Sequence, residues 1–505
     1  MQNHTTLSSR RYERIELPAE TFKKLGYALV DQIAGHNSSI ADRPVVVTES
    51  AEALEKMLRS IASPIEEGQD AASLLENATQ LLLSRSLFNG HPKFWGYITS
   101  SPAPLGILGD LLAAAVNPNV GAWILSPVAT EIEKLTIEWI GQFMHYPAGG
   151  GLLVSGGNMA NNIGFLAALR AKTGAETREK GLRGLRKQLT LYCSRETHTW
   201  VQKAADLYGL GTDSIRWVAT APDGSMDLEK LELGIQEDLA AGHDPFLVIG
   251  TAGSVSTGVV DPLEGISRLC KKYGLWFHVD GAYGGLAASL PELHSQFDGL
   301  EAADSVAVDP HKWLYAPLEA GCVLVKKPKH LTDAFSYHPP YYNFENSDMN
   351  YVDFGPQNSR GFRALKVWLS CHHLGMAGYR QLLREDILLA RHAADLLGKT
   401  AGFQVFTSHL SITTFRYVPE ELKDRAGEEE VELYLNGLNQ ALRNKIEQEG
   451  VFFLSNAIIE GKFALRMCIV NFRTTVKDID AFPAYAMEVG KQLHEQSRKE
   501  AKATS

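Results

Sequence analysis

The chain has 505 residues, of which 45% are hydrophobic and 21% charged, a composition typical of folded globular proteins. At about 150 residues per domain, this length predicts about three domains or subdomains. Its 59 acidic residues outnumber 49 basic ones, giving a formal net charge of −10. This charge disfavours general binding to nucleic acid phosphates, so no nucleic acid partner is expected.

The cysteines and the apolar segments indicate the cellular compartment in which the protein is expected. The five cysteines are widely spaced and include no C-x-x-C motif, which disfavours a disulfide framework or a zinc cluster. Residues 1–18 lack the apolar segment of a secretory signal, and no run of about 18 apolar residues could span a membrane. We therefore expect a cytoplasmic protein with no metal and no membrane partner.

The N-terminal region is predicted to be mainly helical. Apolar residues recur at helical spacing over residues 22–33 and again within 51–86. A further helix is predicted to begin at Ser126-Pro127, because serine is favoured as an N-cap and proline at the first helical position. We assign residues 1–90 to a helical N-terminal segment.

From about residue 150, short apolar runs alternate with amphipathic helical patterns. The runs are 152–154, 189–193, 246–250, 275–279, 305–308 and 322–325. Such alternation predicts an α/β domain with a mostly parallel sheet, in which ligands bind at the carboxyl ends of the strands. After about residue 380, a long helical pattern and two separate strand patterns predict a small α+β domain. We therefore expect a large α/β domain over residues 91–378 and a small domain over 379–505.

The first segment that carries chemistry is a strand followed by a turn of small residues. Gly156 and Gly157 separate the run 152–154 from a helical pattern through Phe165 and Leu169. The unpaired amides at a helix N-terminus and the helix dipole make such a turn a candidate anion site. The alternative is an ordinary tight turn, since the Walker lysine spacing and the full G-x-G-x-x-G motif are absent.

Two further strands are followed by ionisable side chains. His278 and Asp280 share one face of the run that ends near residue 280, and a buried acid there needs a partner. The run 305–308 leads into Asp309-Pro-His-Lys312, and a lysine desolvated at a strand end can become nucleophilic. A helix-capping aspartate and a surface lysine are the alternatives for these two segments.

Together, the three segments suit pyridoxal phosphate. Its phosphate needs a helix N-terminus, its pyridine nitrogen needs a carboxylate, and its aldehyde needs a lysine for a Schiff base. The sequence thus predicts a site for this cofactor at the strand ends.

Two of these motifs also carry a family resemblance. The segments His278-Val-Asp-Gly-Ala-Tyr-Gly-Gly285 and Asp309-Pro-His-Lys-Trp313 resemble those of the group II pyridoxal-phosphate decarboxylases, the aromatic-L-amino-acid and glutamate decarboxylase-like family. The resemblance extends from about residue 20 to about 490. It implies a fold type I transferase-like structure with a seven-stranded sheet. It also implies a homodimer formed partly by the helical N-terminal segment.

The resemblance implies roles for the residues around the cofactor. Lys312 would form the Schiff base, and Asp280 would pair with the pyridine nitrogen. Ala282 would lie beneath the ring, and His198 would stack on its other face.

Further contacts are implied at both ends of the site. Gly157, Asn158 and His311 would contact the phosphate. Tyr97 and Thr99 match family positions near the substrate carboxylate.

Tyr341 bears on the reaction type. It lies 29 residues after Lys312, where the family has a tyrosine in a mobile loop. That tyrosine is implied to protonate the substrate Cα after CO2 leaves, which is general-acid catalysis. Family members with phenylalanine there tend to form aldehydes, so Tyr341 favours simple decarboxylation. The neighbouring Tyr342 is the alternative proton donor.

Two departures from the family pattern concern substrate identity more than reaction type. Val255 follows Ser254 where the family often has Thr-Thr, and Ser254 could substitute for the missing threonine. Asp309 stands where aromatic-specific members have asparagine. An acid beside a phosphate is unfavourable, so we expect Asp309 to face elsewhere or to be neutralised.

These observations predict a homodimeric carboxy-lyase that uses pyridoxal phosphate to convert an L-amino acid into its amine. An aromatic substrate is the first choice, because Trp95, Tyr97 and Trp123 could line an apolar pocket and no arginine is clearly placed for a side-chain carboxylate. The alternatives are an acidic or diamino acid decarboxylase and an aldehyde synthase. Outside enzymes, the alternative is a catalytically silent binding protein of the same fold.

Overall fold

A computed structural model describes residues 15–47, 49–61, 68–338 and 349–504 of the chain. The helices are α1 (Ala19–Ser39), α2 (Ala51–Ile61), α3 (Ala71–Arg85), α4 (Pro104–Val116), α5 (Pro127–Phe143), α6 (Gly157–Thr173), α7 (Glu176–Lys180), α8 (Trp200–Leu207), α9 (Leu228–Ala240), α10 (Leu263–Tyr273), α11 (Pro310–Trp313), α12 (Lys329–Phe335), α13 (Ala364–Lys399), α14 (Glu429–Glu449) and α15 (Val476–Thr504). The strands are β1 (Gly150–Val154), β2 (Leu189–Ser194), β3 (Ile215–Val218), β4 (Asp244–Thr251), β5 (Trp276–Asp280), β6 (Ser305–Val308), β7 (Gly321–Val325), β8 (Phe403–His409), β9 (Ile412–Tyr417), β10 (Ser455–Ile459) and β11 (Lys462–Cys468).

The predicted α/β fold with a mostly parallel seven-stranded sheet is confirmed. The strand order is β1-β7-β6-β5-β4-β2-β3, and only β7 runs antiparallel to its neighbours. Strand β3 was not predicted, because this edge strand leaves Arg216 and Trp217 partly accessible and is not a continuous apolar run. The six strands that were predicted from apolar runs are buried almost throughout.

The sheet topology brings the three predicted segments to one edge. The strands β5 and β6 are adjacent and parallel, so their carboxyl ends lie side by side. Two successive antiparallel pairings, β6 with β7 and β7 with β1, return β1 to the direction of β6. The turn after β1 therefore lies at the same edge as the residues that follow β5 and β6.

A second sheet forms in the C-terminal part of the chain. It has four antiparallel strands in the order β10-β11-β9-β8 and packs against α14 and other helices. The predicted strand near residues 403–406 is β8, and the one near 463–470 is β11. The proposed domain boundary at 378/379 falls within α13, three residues after the break in helical geometry at Gly375.

The N-terminal segment contains the predicted helices. The pattern within residues 51–86 corresponds to α2 and α3, and residues 62–67 between them lie outside the described part. In α1, no residue is buried. Among the described residues, no helix is both long and apolar enough to cross a membrane.

Candidate active site

A cavity of about 420 Å³ opens at the carboxyl edge of the large sheet. Most of the predicted site residues line it: Tyr97, Gly157, Asn158, His198, Asp280, Ala282 and Lys312. The structure therefore brings the strand-end segments together around one cavity.

The Lys312 side chain is paired inside the protein. The short helix α11 places its Nζ atom 3.0 Å from Oδ2 of Asp309. Asp309 is only 2% exposed, and its Oδ1 has no hydrogen-bond partner among the described residues. Because an unpaired buried carboxylate is costly, Lys312 is the group that neutralises Asp309.

Asp280, the last residue of β5, is held by two donors. Its Oδ2 accepts a hydrogen bond of 2.7 Å from the indole Nε1 of Trp200. Its Oδ1 accepts a longer bond of 3.2 Å from the backbone amide of Ala282. These two hydrogen bonds fix the orientation of the carboxylate, which borders the cavity as a hydrogen-bond acceptor.

His278 supports the site from behind. It is fully buried, and its Nδ1 and Nε2 each lie 2.7 Å from a partner, the hydroxyl of Ser305 and the amide oxygen of Asn161. Burial lowers its pKa to about 4, so the ring is neutral near pH 7. Asn161 also lines the cavity. It was not predicted as a site residue, although it lies one helical turn after Gly157.

The glycines at the turn before α6 leave room for a ligand to lie close to the backbone. A side chain at Gly157 would place its Cβ 2.6 Å from Oδ2 of Asp309 and 2.9 Å from Cβ of Ala282. Gly156 adopts a φ of +134°, which disfavours other residues. The first amides of α6 thus remain accessible to an anion.

The two predicted histidines differ in position. His198 lines the cavity, and its Nδ1 accepts a hydrogen bond from the backbone amide of Trp200. His311 is not among the lining residues; it lies beside Gly156, and its Nδ1 accepts a hydrogen bond from Ala320. Burial lowers the pKa of both imidazoles, which favours their neutral forms.

Arg466 lines the cavity but was not predicted as a site residue. It projects from β11 and is 3% exposed, and its Nη1 donates to the hydroxyl of Ser455. Its Nε and Nη2 are buried without a hydrogen-bond partner among the described residues. The sequence feature that could have predicted this role is an arginine inside an apolar strand pattern. A buried guanidinium normally requires an acceptor, which a ligand can supply.

Several expected residues lie elsewhere. Thr99 is not among the lining residues, although Tyr97 and Ile98 are. Trp95 is buried in the core beside the small sheet, and the indole of Trp123 donates to Glu131. The predicted apolar pocket therefore does not include these two tryptophans.

Ser254, Tyr341 and Tyr342 were also predicted to act at the site. The hydroxyl of Ser254 is hydrogen-bonded to that of Thr257, and Ser254 is not among the residues that line the cavity. Tyr341 and Tyr342 lie outside the described residues.

The residues that are present fit pyridoxal phosphate. The cavity offers an amine on Lys312, a carboxylate on Asp280 and an anion cradle at Gly157. The hydroxyl of Thr251 also borders the cavity and is buried without a partner among the described residues. These groups match an aldehyde, a ring nitrogen and a phosphate, and they leave a donor for further ligand contacts.

Comparison with known proteins places the chain in a family. Residues 55–418 match the pyridoxal-dependent decarboxylase conserved domain. The chain is 33% identical to an aromatic-L-amino-acid decarboxylase of Bacillus atrophaeus, covering 92% of this chain and 95% of that protein. It is 30% identical to a phenylacetaldehyde synthase of Petunia hybrida, over 92% and 93% of the two chains. The structure of Oryza sativa TDC with PLP and tryptamine superimposes with a TM-score of 0.87 at 25% identity, over 97% of this chain and 100% of that one. The chain therefore belongs to the pyridoxal-phosphate-dependent decarboxylase family.

Proposed function

We propose that this enzyme decarboxylates an aromatic L-amino acid to the corresponding amine and CO2. The observation that carries the reaction type is the presence of Lys312, Asp280 and Arg466 around one cavity. The aromatic substrate is supported by relatives that are named for aromatic amino acids.

The described residues have distinct tasks in this proposal. Pyridoxal phosphate, when bound, supplies an electron sink for the pair that leaves the bond between Cα and the carboxylate. Asp280 keeps a proton at the ring nitrogen, and Lys312 supplies the amine that anchors the aldehyde. Gly157, Asn158 and His311 hold the phosphate, while the neutral imidazole of His198 covers one face of the ring.

Arg466 is assigned to the substrate carboxylate. Its Nε and Nη2 provide two buried donors, and a carboxylate can accept from both atoms in a bidentate pair. The same guanidinium supports a second candidate, an acidic amino acid whose side-chain carboxylate would occupy this position. Tyr97 and Thr99 remain predicted substrate residues, with Tyr97 at the cavity and Thr99 outside its lining.

Tyr341 is proposed as the acid that protonates Cα after CO2 leaves. The assignment is supported by its spacing from Lys312 in the sequence. The phenylacetaldehyde synthases among the relatives make aldehyde formation the alternative outcome. The identity of the product therefore decides between the two reactions.

A homodimer is part of the proposal. No residue of α1 is buried, and its Phe22 and Tyr27 are exposed. On α4, Leu108, Leu111 and Leu112 are also exposed. Apolar faces of this kind are typical of surfaces that a second subunit covers. A cytoplasmic location is also proposed, and it is supported by the five unpaired cysteines.

The test is a mass-spectrometric product assay with pyridoxal phosphate and a panel of aromatic, acidic and diamino L-amino acids. We expect the wild type to form one aromatic amine. Tyr341→Phe should lose at least about tenfold in amine formation or release an aldehyde instead, because it lacks the general acid. Tyr342→Phe is the matched control and should retain the amine product.

Other outcomes would contradict parts of the proposal. An aldehyde from the wild type would overturn the assigned reaction, and an amine from glutamate or aspartate would favour the acidic substrate. A stronger loss in Tyr342→Phe would transfer the role of Tyr341 to its neighbour.

A further inference from the structure

Trp200 connects several parts of the candidate site. It is the first residue of α8, follows His198 by two positions and is fully buried. It is not among the residues that line the cavity. Any effect of Trp200 on the cofactor must therefore pass through its neighbours.

The hydrogen bonds of Trp200 link two cofactor residues. Its indole Nε1 donates to Oδ2 of Asp280 at 2.7 Å, and its backbone amide donates to Nδ1 of His198 at 3.3 Å. One residue thus contacts the carboxylate assigned to the ring nitrogen and the imidazole assigned to the ring face.

Aromatic packing fixes the plane of the indole. The ring of His278 lies edge-on at a centroid distance of 5.7 Å and an angle of 78°. The ring of Phe165 packs at 6.3 Å and 87° on the same indole. Edge-to-face contacts restrain a buried ring, so the direction of the Nε1–H bond is set by the surrounding core.

We propose that Trp200 is a positioning residue that directs the Asp280 carboxylate towards the ring nitrogen of the cofactor. The proposal rests on the cofactor role given to Asp280 above. With Oδ2 bound to Trp200 and Oδ1 to the Ala282 amide, rotation of the carboxylate would break both hydrogen bonds. A carboxylate held in this orientation keeps an acceptor lone pair available for the ring N–H.

The test measures cofactor affinity with and without the ring nitrogen. Pyridoxal phosphate and its 1-deaza analogue, in which a C–H replaces the ring nitrogen, are titrated into the full-length protein and followed by absorbance. For Trp200→Phe we expect the dissociation constant of pyridoxal phosphate to rise about tenfold, the usual size for a lost hydrogen bond to a charged group. The analogue should change less than about twofold, because it makes no contact that Asp280 can strengthen.

Two controls separate positioning from packing. Trp95→Phe removes another fully buried indole whose Nε1 donates to Pro92 and Thr474, outside the cavity, and should leave both affinities unchanged. Replacement of Trp200 by 3-benzothienylalanine keeps the shape of the ring and removes only the N–H group. This variant should reproduce the selective loss even if Trp200→Phe is poorly folded.

Three results would contradict either the role of Trp200 or the proposed function, and they can be told apart. Equal weakening of both ligands by the benzothienyl variant would mean that Trp200 acts through packing alone. Unchanged affinities in that variant would overturn the proposal directly. Failure of the wild type to bind pyridoxal phosphate would instead contradict the proposed function.

Discussion

At the scale of single residues, the buried lysine and arginine side chains of the described residues pair with carboxylates, apart from Arg466. Glu133 and Arg360 are both almost inaccessible and form an ion pair, and Lys312 pairs with Asp309. Arg466 differs, because no carboxylate lies within ion-pair distance among the described residues. A buried guanidinium with free donors is costly unless a ligand completes it. The free donors of Arg466 therefore support the proposed binding of the substrate carboxylate at this residue.

The residue-scale prediction concerns Arg466→Lys. Lysine keeps the charge but loses the bidentate geometry, so we expect KM for the amino acid to rise by about tenfold or more. The absorbance of the bound cofactor should not change, since Arg466 is not assigned to the cofactor. Steady-state kinetics and cofactor titration measure the two effects.

Arg416→Lys is the matched control for this substitution. Arg416 is another buried arginine of the small sheet, but it is paired with Glu432 and does not line the cavity. It should alter stability without raising KM. An unchanged KM in Arg466→Lys would remove Arg466 from the substrate site.

At the scale of elements, the turn that carries Lys312 is tied to a long helix. The indole of Trp313 and the hydroxyl of Tyr315 both donate to Oδ2 of Asp386 on α13, at 2.8 Å and 2.5 Å. Burial raises the pKa of Asp386 to about 7, and these hydrogen bonds oppose the shift only in part. Asp386, which holds the turn that carries Lys312, therefore titrates near neutral pH.

The raised pKa of Asp386 predicts how the stability of the protein depends on pH. The folded state binds the Asp386 proton more tightly than the unfolded state, whose pKa is near 3.8. This group therefore makes folding less favourable as pH rises from about 4 to about 7, by up to about 1.4 kcal/mol per pH unit. Asp386→Asn does not titrate. The Tm of this variant minus that of the wild type should thus increase between pH 5 and pH 7 and level off above.

Thermal unfolding at pH 5, 6, 7 and 8 is the measurement. Asp395→Asn changes an exposed aspartate of the same helix and should show a constant difference in Tm. A constant difference for Asp386→Asn as well would mean that Asp386 is not protonated in the folded protein within this range.

At the scale of the whole molecule, the exposed apolar face of α4 supports the proposed dimer. Leu111 on α4 is 56% exposed, and neighbouring leucines on the same helix are similarly accessible. Leu108, Leu111 and Leu112 stand at i, i+3 and i+4 and so share one helix face, and clustered exposed apolar side chains are typical of an interaction surface. A symmetric dimer would bury the same patch on both subunits.

Leu111→Asp should therefore weaken the dimer, because it places a charge within the apolar interface at a typical cost of several kcal/mol. Analytical ultracentrifugation should show a dimeric wild type and an increased monomer fraction in the variant. Leu433→Asp, at a 75% exposed leucine of α14, is the matched control and should remain dimeric. A monomeric wild type would contradict the proposed assembly.

Much of the candidate site could be predicted from the sequence because its signals are local. Gly157, Asp280 and Lys312 each lie within a few positions of an apolar run. Parallel strands in one sheet bring such positions to a common edge, so strand order was not needed to expect a single site. The fold class followed from the same alternation of runs and helices.

Only the tertiary structure identified the partners of these groups. Arg466 comes from the small sheet, and Trp200 meets Asp280 across 80 positions of sequence. The pairing of Asp309 with Lys312 likewise depended on side-chain direction rather than on spacing alone. Periodicity in a sequence reports which face of an element is buried, but it does not report which element packs on that face. The chemical groups were therefore determined by the sequence itself, and their positioning and ligand contacts by the packing of distant segments.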